Sequence, residues 1–351
     1  MLEAQSFSHE HSNKYKQENP LLLKKGHLEY LLTEANKTFN RLVIQFAGLY
    51  DTVPHQGFHQ SNDVKDLGLN SINQADYVVH LVADDEHRLN FSLVNISSVK
   101  KVSPDSGEKG GIELYLPEVH CDVGGSYVEG RPENNKRIDA FFSYQKLKEL
   151  KQELIAQGWF KNHELTMYDN YQEITDKNYH EAKTKVILNS TREYLSNQYS
   201  FIPLHIMVDF CLKKQVPIDD STVLKNYNFR DIKAILENIK FLNNIETKLH
   251  KYAFEGGEKY VFEEPQTFTQ PDIVYDPQHA TKALQEYEER QITGQKQLDE
   301  AIALKNKDIK FLRNNYLHWN SVYGQDDVVD EIAQPHKPNI DENGKRKRHI
   351  R

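Results

Sequence analysis

The stretch Ile112–Tyr127, IELYLPEVHCDVGGSY, constrains the fold of this chain more than any other. Apolar residues alternate from Ile112 to Leu116, which predicts a β-strand, and Pro117 suits the end of a strand rather than its middle. His120 follows at the carboxyl end of that strand, the edge at which open α/β sheets bind their ligands. His120 is therefore a candidate functional residue, and the alternative on this stretch alone is a histidine that only caps the strand.

The residues after His120 predict a tight turn. Asp122 is followed by the pair Gly124–Gly125, and glycines indicate a backbone path on which side chains would not fit. We interpret the next residue, Ser126, as part of the same turn.

Two earlier apolar runs predict further buried strands. Leu42–Leu49 is nearly continuous, as expected for a strand covered on both faces, and it leads to Asp51, which either serves the site or caps the next turn. Tyr77–Ala83 is the second run, and we interpret most of the charged segment Asp84–Arg88 after it as a solvated loop with an internal Arg–carboxylate pair. Three strands joined by crossovers predict a mostly parallel α/β sheet, with Asp51 and His120 at one edge.

Beyond residue 130 the apolar residues recur at helical spacing. Helices are predicted within Phe141–Trp159, Phe201–Leu212, Asp231–His250 and Ala280–Trp319. The predicted organisation is a leader and helix over 1–40, the sheet region over 41–130, a helical region packed on or beside it over 131–325, and a polar, disordered tail over 326–351.

Composition excludes several classes of protein. A net charge of -8 gives no electrostatic basis for binding nucleic acid, and two cysteines are too few for a disulfide framework. No apolar run approaches the roughly 20 residues that cross a bilayer, and the N-terminal residues have no apolar core of a secretory signal. We expect no cofactor, no metal ion and no transmembrane segment.

Asp51 and His120 together make two thirds of a Ser-His-Asp triad. The carboxylate would orient Nδ1 of the imidazole while Nε2 activates a hydroxyl group. The third member is missing, because the sequence contains no G-x-S-x-G elbow and no nucleophile is found elsewhere.

Three blocks of sequence carry a resemblance to a known family. VIQFAGLYDTV, VVHLVADDEHRLNFSL and LYLPEVHCDVGGSY resemble successive blocks of the α/β-hydrolase-like domain of type VI secretion phospholipase effectors. FIPLHIMVDFCL and LRNNYLHWNSVYG are similar to downstream stretches of those effectors, especially the Bacteroidetes-type members. The resemblance implies a partial α/β-hydrolase-like, mostly parallel sheet followed by a mainly helical region.

The resemblance also implies roles for particular residues. Asp51 would be the triad acid and His120 the base, with Asp85 as the alternative acid. Asp122, Gly124 and Gly125 would form the turn that lets substrate approach the backbone. The effectors have PGVH where this chain has PEVH, so Glu118 stands in place of a glycine.

The missing G-x-S-x-G elbow changes the activity that we expect of this chain. In the effectors the serine precedes the strand that ends at the acid by about one βα unit, so we expect this chain to be a C-terminal portion that is nearly inactive alone. The implied partners are a phospholipid membrane as substrate, a secretion-spike protein and an immunity protein. The protein would be made in the bacterial cytoplasm and exported by a type VI system without a cleavable signal.

Two other functions stay open. The missing serine favours a non-catalytic remnant or binding module of the same family. A metal-dependent hydrolase is the other alternative, and it would draw its ligands from Asp51, His55, His59, His80, His87, His120 and Asp122.

Overall fold

The computed structural model describes residues 31–32, 34–37, 43–53, 69–88, 91–141, 143–176, 179–231, 238–269, 280–320 and 342. The chain divides into two compact units, Met1–Ile44 and Gln45–Arg351. In the first unit, Leu31, Leu32 and Glu34 are helical, as the sequence predicts, and Ala35 and Asn36 form a turn. The rest of the predicted leader and helix, apart from Lys37, lies outside the described residues. Most of the predicted tail over 326–351 also lies outside them.

A three-stranded parallel sheet begins the second unit. Its strands are β1 (Phe46–Tyr50), β2 (Tyr77–Ala83) and β3 (Gly110–Leu116), in the order β1-β2-β3. Every residue of the central strand β2 is buried, which explains why a continuous apolar run encodes it. The 3₁₀-helix Leu69–Gln74 precedes β2. The predicted parallel α/β sheet is therefore confirmed.

A short helix and an antiparallel sheet follow. Helix α1 (His120–Val123) comes directly after β3. The second sheet has the order β4-β6-β5. Its strands are β4 (Glu133–Phe141), β5 (Leu165–Asp176) and β6 (Tyr179–Arg192).

The sequence analysis did not predict this antiparallel sheet within 131–325. The reason is physical: β5 and β6 are polar over most of their length, so they show little hydrophobic alternation. In addition, β4 pairs with β6 through two register shifts, between Glu133 and Lys136 and between Arg137 and Asp139, which break its period of two.

The remaining described elements are helical; the sequence predicts four of these five α-helices, and the exception is Asp220–Asn226. They are α2 (Tyr144–Ala156), α3 (Phe201–Lys213), α4 (Asp220–Asn226), α5 (Asn238–Phe254) and α6 (Ala280–Asn315), with short 3₁₀ turns at Asn162–Glu164 and Gln198–Ser200. Among the described helices, none is both long and apolar enough to cross a lipid bilayer.

One hydrophobic core joins the parallel sheet to the later elements. Val79 and Leu81 of β2 belong to the same buried cluster as Ile206 and Phe210 of α3 and Leu249 of α5. Since burial of apolar surface is the main force that holds a domain together, these helices cover the face of the sheet and leave its carboxyl edge for polar residues.

Candidate active site

Asp51 lies at the carboxyl end of β1 in a strained conformation. Its φ is 44°, in the left-handed region that a non-glycine residue rarely adopts. The side chain is fully buried, and Oδ1 accepts a hydrogen bond from the backbone N–H of Ala83 at 3.0 Å. The backbone N–H of Asp51 donates to Leu81 O at 2.8 Å. These contacts with β2 fix the carboxylate and direct its second oxygen, Oδ2, to another partner.

That partner is His120. Nδ1 of His120 lies 2.9 Å from Oδ2 of Asp51, so the structure joins two residues that are 69 positions apart in the sequence. An ionised carboxylate only accepts hydrogen bonds, so Nδ1 carries the proton in this pair and Nε2 of the neutral ring keeps its lone pair. The His120 side chain is 31% exposed, and within the described part of the chain its Nε2 makes no hydrogen bond. An imidazole held in this way can take a proton from an approaching hydroxyl group.

A second buried histidine supports the residue after Asp51. The N–H of Thr52 donates to Nε2 of His80 at 3.0 Å, so His80 carries its proton on Nδ1 and donates to Oε2 of Glu113 at 3.1 Å. Burial raises the pKa of Glu113, but hydrogen bonds from His80 and Tyr115 outweigh it and hold the pKa below its ordinary value. The sequence analysis considered His80 only as one of several metal ligands and missed this supporting role.

Asp85, the alternative acid, lies elsewhere. Its Oδ1 accepts from Nη2 of Arg313 at 2.9 Å, and Nη1 of the same guanidinium donates to Gln157 O at 3.0 Å. Asp85 therefore links the end of β2 to α6 and α2. Of the two candidate acids, Asp51 is the one within hydrogen-bonding distance of His120.

Asp122, which the sequence analysis expected in the substrate turn, binds a residue near the C-terminal end of the described chain. The carboxylate is buried and binds His318 twice: Oδ2 accepts from the backbone N–H at 3.0 Å, and Oδ1 lies 2.7 Å from Nδ1. The His318 ring also stacks on Tyr127, with ring centroids 3.3 Å apart. Local sequence gives no sign of this contact, because His318 lies 196 positions later in the chain.

The glycine pair does form a turn, but only one member requires glycine. Gly125 has a φ of 64°, which L-residues rarely adopt, whereas Gly124 has a φ of -82°, which any residue tolerates. The hydroxyl of Ser126 donates to Cys121 O at 3.4 Å, consistent with its interpretation as a turn residue.

Glu118 is a buried carboxyl group near the carboxylates of Asp51 and Asp122. Neither of its side-chain oxygens has a hydrogen-bond partner among the residues that the structure describes. Burial raises the pKa of Glu118 well above its ordinary value, and the charges of Asp122, Asp51 and Asp85 raise it further. Glu118 is therefore protonated and neutral over a wider pH range than an ordinary glutamate.

Glu86 and its neighbours were also missed by sequence reasoning. We expected a solvated loop with an internal Arg–carboxylate pair over Asp84–Arg88. The pair exists, between Glu86 and Arg88, but it is buried rather than solvated. Glu86 also accepts from the backbone N–H of His120 at 3.2 Å.

The candidate metal ligands that the structure describes do not form a metal-binding cluster. His80 and Asp122 are bound to Glu113 and His318 respectively, and His55 and His59 lie outside the described residues. Within the described ranges, no group of three or more His, Cys, Asp or Glu side chains is placed to hold a metal ion.

The match to a family model agrees with this site. Residues 3–152, which include Asp51 and His120, match the family described as "T6SS, Phospholipase effector Tle1-like, catalytic domain". Residues 3–152 of this chain are therefore similar to the catalytic domain of a family of type VI secretion phospholipase effectors. A comparison with curated protein sequences found no significant match.

A solved structure of a type VI secretion effector has a similar fold. It is described as "Structure of the Tle1 effector bound to the VgrG spike from the Type 6 secretion system", and it has a TM-score of 0.53 to this chain at 18% sequence identity. The alignment covers 97% of this chain and 64% of that chain. At this level of identity the likeness concerns the fold, and this chain spans 64% of the length of its structural relative.

Proposed function

We propose that this chain supplies the acid and the base of a serine-dependent lipid-ester hydrolase of the phospholipase-effector type. The observation that carries the proposal is the hydrogen bond of 2.9 Å between the buried carboxylate of Asp51 and Nδ1 of the partly exposed His120. In this role Nε2 of His120 takes the proton of a serine hydroxyl as that oxygen attacks the ester carbonyl. Asp51 holds the ring in the required tautomer and stabilises the imidazolium that forms.

The nucleophile is the one triad position without a candidate. The sequence contains no G-x-S-x-G elbow, and the hydroxyl of Ser126 is directed to a backbone carbonyl. A triad acts as a unit, so we expect a low rate of hydrolysis from this chain alone, close to the residual rate that remains when one member is lost.

The finer features of the proposal follow the sequence resemblance. The parallel sheet would be part of an α/β-hydrolase-like domain of the Bacteroidetes type, and the substrate would be a membrane phospholipid. The protein would be exported by a type VI system without a cleavable signal. Its partners would be a spike protein, which delivers it, and an immunity protein. The binding of Tle1 to the VgrG spike supports the spike as the delivery partner.

Hydrolysis of lipid vesicles by the purified chain tests this function. Vesicles of phosphatidylethanolamine and phosphatidylglycerol are incubated with the wild type and with His120→Ala and Asp51→Asn, and fatty-acid release is measured. His163→Ala is the matched control, because His163 is an exposed histidine in the turn Asn162–Glu164. A fluorophosphonate probe followed by peptide mapping locates any reactive serine.

We expect release that is low but above the His120→Ala background and that falls to that background in Asp51→Asn. Since no serine of this chain is a candidate nucleophile, the fluorophosphonate should leave this residual release unchanged. Equal release by the wild type and His120→Ala would contradict the proposal. Release that a chelator abolishes and the fluorophosphonate leaves intact would instead favour a metal-dependent hydrolase.

The absence of an elbow favours one second candidate, a non-catalytic binding module of the same family. The same experiment separates the two functions. A chain that sediments with the vesicles, takes no fluorophosphonate label and releases no more fatty acid than His120→Ala is a binding module.

A further inference from the structure

Glu86 is a fully buried carboxylate that accepts at least five hydrogen bonds from residues of the described chain. Oε1 accepts from the backbone N–H of Arg88 at 3.0 Å and from its Nε at 2.9 Å. Oε2 accepts from Nη2 of Arg88 at 2.8 Å, from the backbone N–H of His120 at 3.2 Å and from Nδ2 of Asn320 at 2.5 Å. This complete set of donors is what makes a buried carboxylate tolerable, and it leaves Glu86 little freedom to move.

One of those bonds replaces a missing helix cap. His120 is the first residue of α1, and its N–H has no partner inside the helix. The residue before it, Val119, has no polar side chain to act as a cap. Glu86 supplies the acceptor from the loop after β2, so the backbone position of His120 depends on that carboxylate.

A second path from Glu86 reaches the imidazole ring. The guanidinium of Arg88, held in place by Glu86, lies 3.3 Å above the centroid of the Phe91 ring. Phe91 in turn makes an edge contact with the His120 ring, with centroids 5.3 Å apart and an angle of 64° between the planes. The Glu86 carboxylate therefore fixes both the backbone of His120, through its N–H, and the imidazole ring, through Arg88 and Phe91. Asp51 in addition fixes Nδ1 of the ring.

Asn320 connects the same carboxylate to the C-terminal part of the described chain. Residues 317–320 are all buried, and Nη1 of Arg192 donates to Leu317 O at 3.0 Å. Asp122 binds the next residue, His318. The segment therefore reaches α1 from two sides, through Asp122 and through Glu86.

We propose that Glu86 is a positioning residue for His120, acting through the backbone N–H of His120 and through the stack of Arg88 and Phe91 on the imidazole. The proposal rests on the proposed role of His120 as general base. A carboxylate is needed because it offers acceptors to all five donors, whereas the amide of glutamine would turn its own N–H groups toward some of them.

The test compares Glu86→Gln with Glu133→Gln. Glu133 is a matched control because it is also largely buried and bound to an arginine, Arg192. It lies on β4, and among the described residues none of its hydrogen bonds or ion pairs is with His120. The readout is the exchange of the His120 Nδ1 proton with water, measured by NMR at neutral pH, together with thermal unfolding of each variant. Fatty-acid release is measured on the same samples.

We expect both variants to lose stability, and only Glu86→Gln to speed exchange of the His120 Nδ1 proton, by about tenfold or more. Hydrolysis that depends on His120 should fall by about tenfold to 100-fold in the same variant, since small misplacements of a reacting group have effects of that size. Unchanged exchange in Glu86→Gln, with a loss of stability equal to that of Glu133→Gln, would overturn the proposal.

If Glu86→Gln does not fold, the variant Phe91→Leu still tests the proposal. This variant removes the ring contact and leaves the carboxylate in place, so we expect faster proton exchange by a smaller factor, and unchanged exchange would contradict the second path. Faster exchange without any hydrolysis that depends on His120 would support the positioning role and contradict the proposed catalytic function, so the two can fail separately.

Discussion

Two aspartate–histidine pairs each include a residue of α1, and they differ mainly in their exposure. His120 binds Asp51 through Nδ1 at 2.9 Å, and His318 binds Asp122 through Nδ1 at 2.7 Å. The His120 side chain is 31% exposed, whereas that of His318 is 3% exposed. Asp51 uses its other oxygen to bind β2, while Asp122 uses both oxygens on His318. In the first pair, Nε2 of His120 stays accessible to other molecules. The second pair binds the segment 317–320 to α1.

Residue type alone does not distinguish a reactive imidazole from a structural one. Asp122 and His120 stand two positions apart in the chain, yet they belong to different pairs with different environments. What distinguishes the pairs is the partner that each carboxylate finds in the folded chain, and how much water reaches the ring.

The largest expected effect is on stability, from removing the carboxylate of the buried pair. Asp122→Ala leaves both the backbone N–H and the Nδ1 of His318 without their acceptor, so we expect the free energy of unfolding to fall by about 3–5 kcal/mol. Urea denaturation measures the change. Asp84→Ala, which removes a partly exposed salt bridge to Lys259, is the control and should cost less than about 1 kcal/mol. Similar losses in the two variants would show that the Asp122–His318 pair does not stabilise the fold.

Chemical modification should separate the two histidines by about tenfold or more. Diethyl pyrocarbonate needs access to a ring nitrogen, and His318 becomes accessible only after local opening of the structure. We expect His120 to react faster than His318, as followed by peptide mass spectrometry. Equal rates for the two residues would contradict the difference in environment on which the comparison depends.

A pH-dependent effect is expected at Glu118, whose raised pKa reflects burial and then the nearby carboxylates of both pairs. The folded state holds the proton more tightly than the unfolded state, so this contribution to stability is present below the ordinary pKa and is lost as pH rises above it. Glu118→Gln lacks the titration, and its stability relative to the wild type should therefore increase with pH above about 5, by at most about 1.4 kcal/mol per pH unit.

Urea denaturation between pH 5 and 8 measures that trend. Glu258→Gln, at an exposed position, is the control and should show a constant difference from the wild type. A constant difference for Glu118→Gln as well would mean that the carboxyl group titrates as in the unfolded chain.

The smallest effect is expected from the aromatic ring beside the buried pair. Tyr127→Leu removes the stack on His318 but keeps an apolar side chain, so we expect a loss of about 1 kcal/mol in the free energy of unfolding. The diethyl pyrocarbonate rate of His120 should not change. A change at His120 in this variant would show that the two pairs are coupled.

The parallel sheet and one of the two pairs could be predicted from the sequence. Tyr77–Ala83 is a strand with the predicted bounds because its apolar run is buried on both faces. Asp51 and His120 follow β1 and β3, the two strands that flank β2 in the parallel sheet, so their approach at its carboxyl edge follows from topology. Their roles in catalysis stay a prediction.

The rest depends on contacts that local patterns do not encode. The partner of Asp122 is 196 positions away, and Asn320 is 234 positions from Glu86. The charged segment after β2 gave the pattern of a solvated loop, although Glu86 is buried there by donors from distant parts of the chain. The antiparallel sheet was missed because its strands are polar and irregularly paired. The division into regions at residues 40, 130 and 325 stays a prediction.

The protonation of the His120 ring tests the central claim most directly. Nitrogen-15 NMR of the imidazole at neutral pH should show a proton on Nδ1 and a bare Nε2 in the wild type, and Asp51→Asn should change this pattern because an amide can donate to Nδ1 and favour the other tautomer. A proton on Nε2 in the wild type, or a pattern that Asp51→Asn leaves unchanged, would contradict the assignment of this pair as the acid and base of the site.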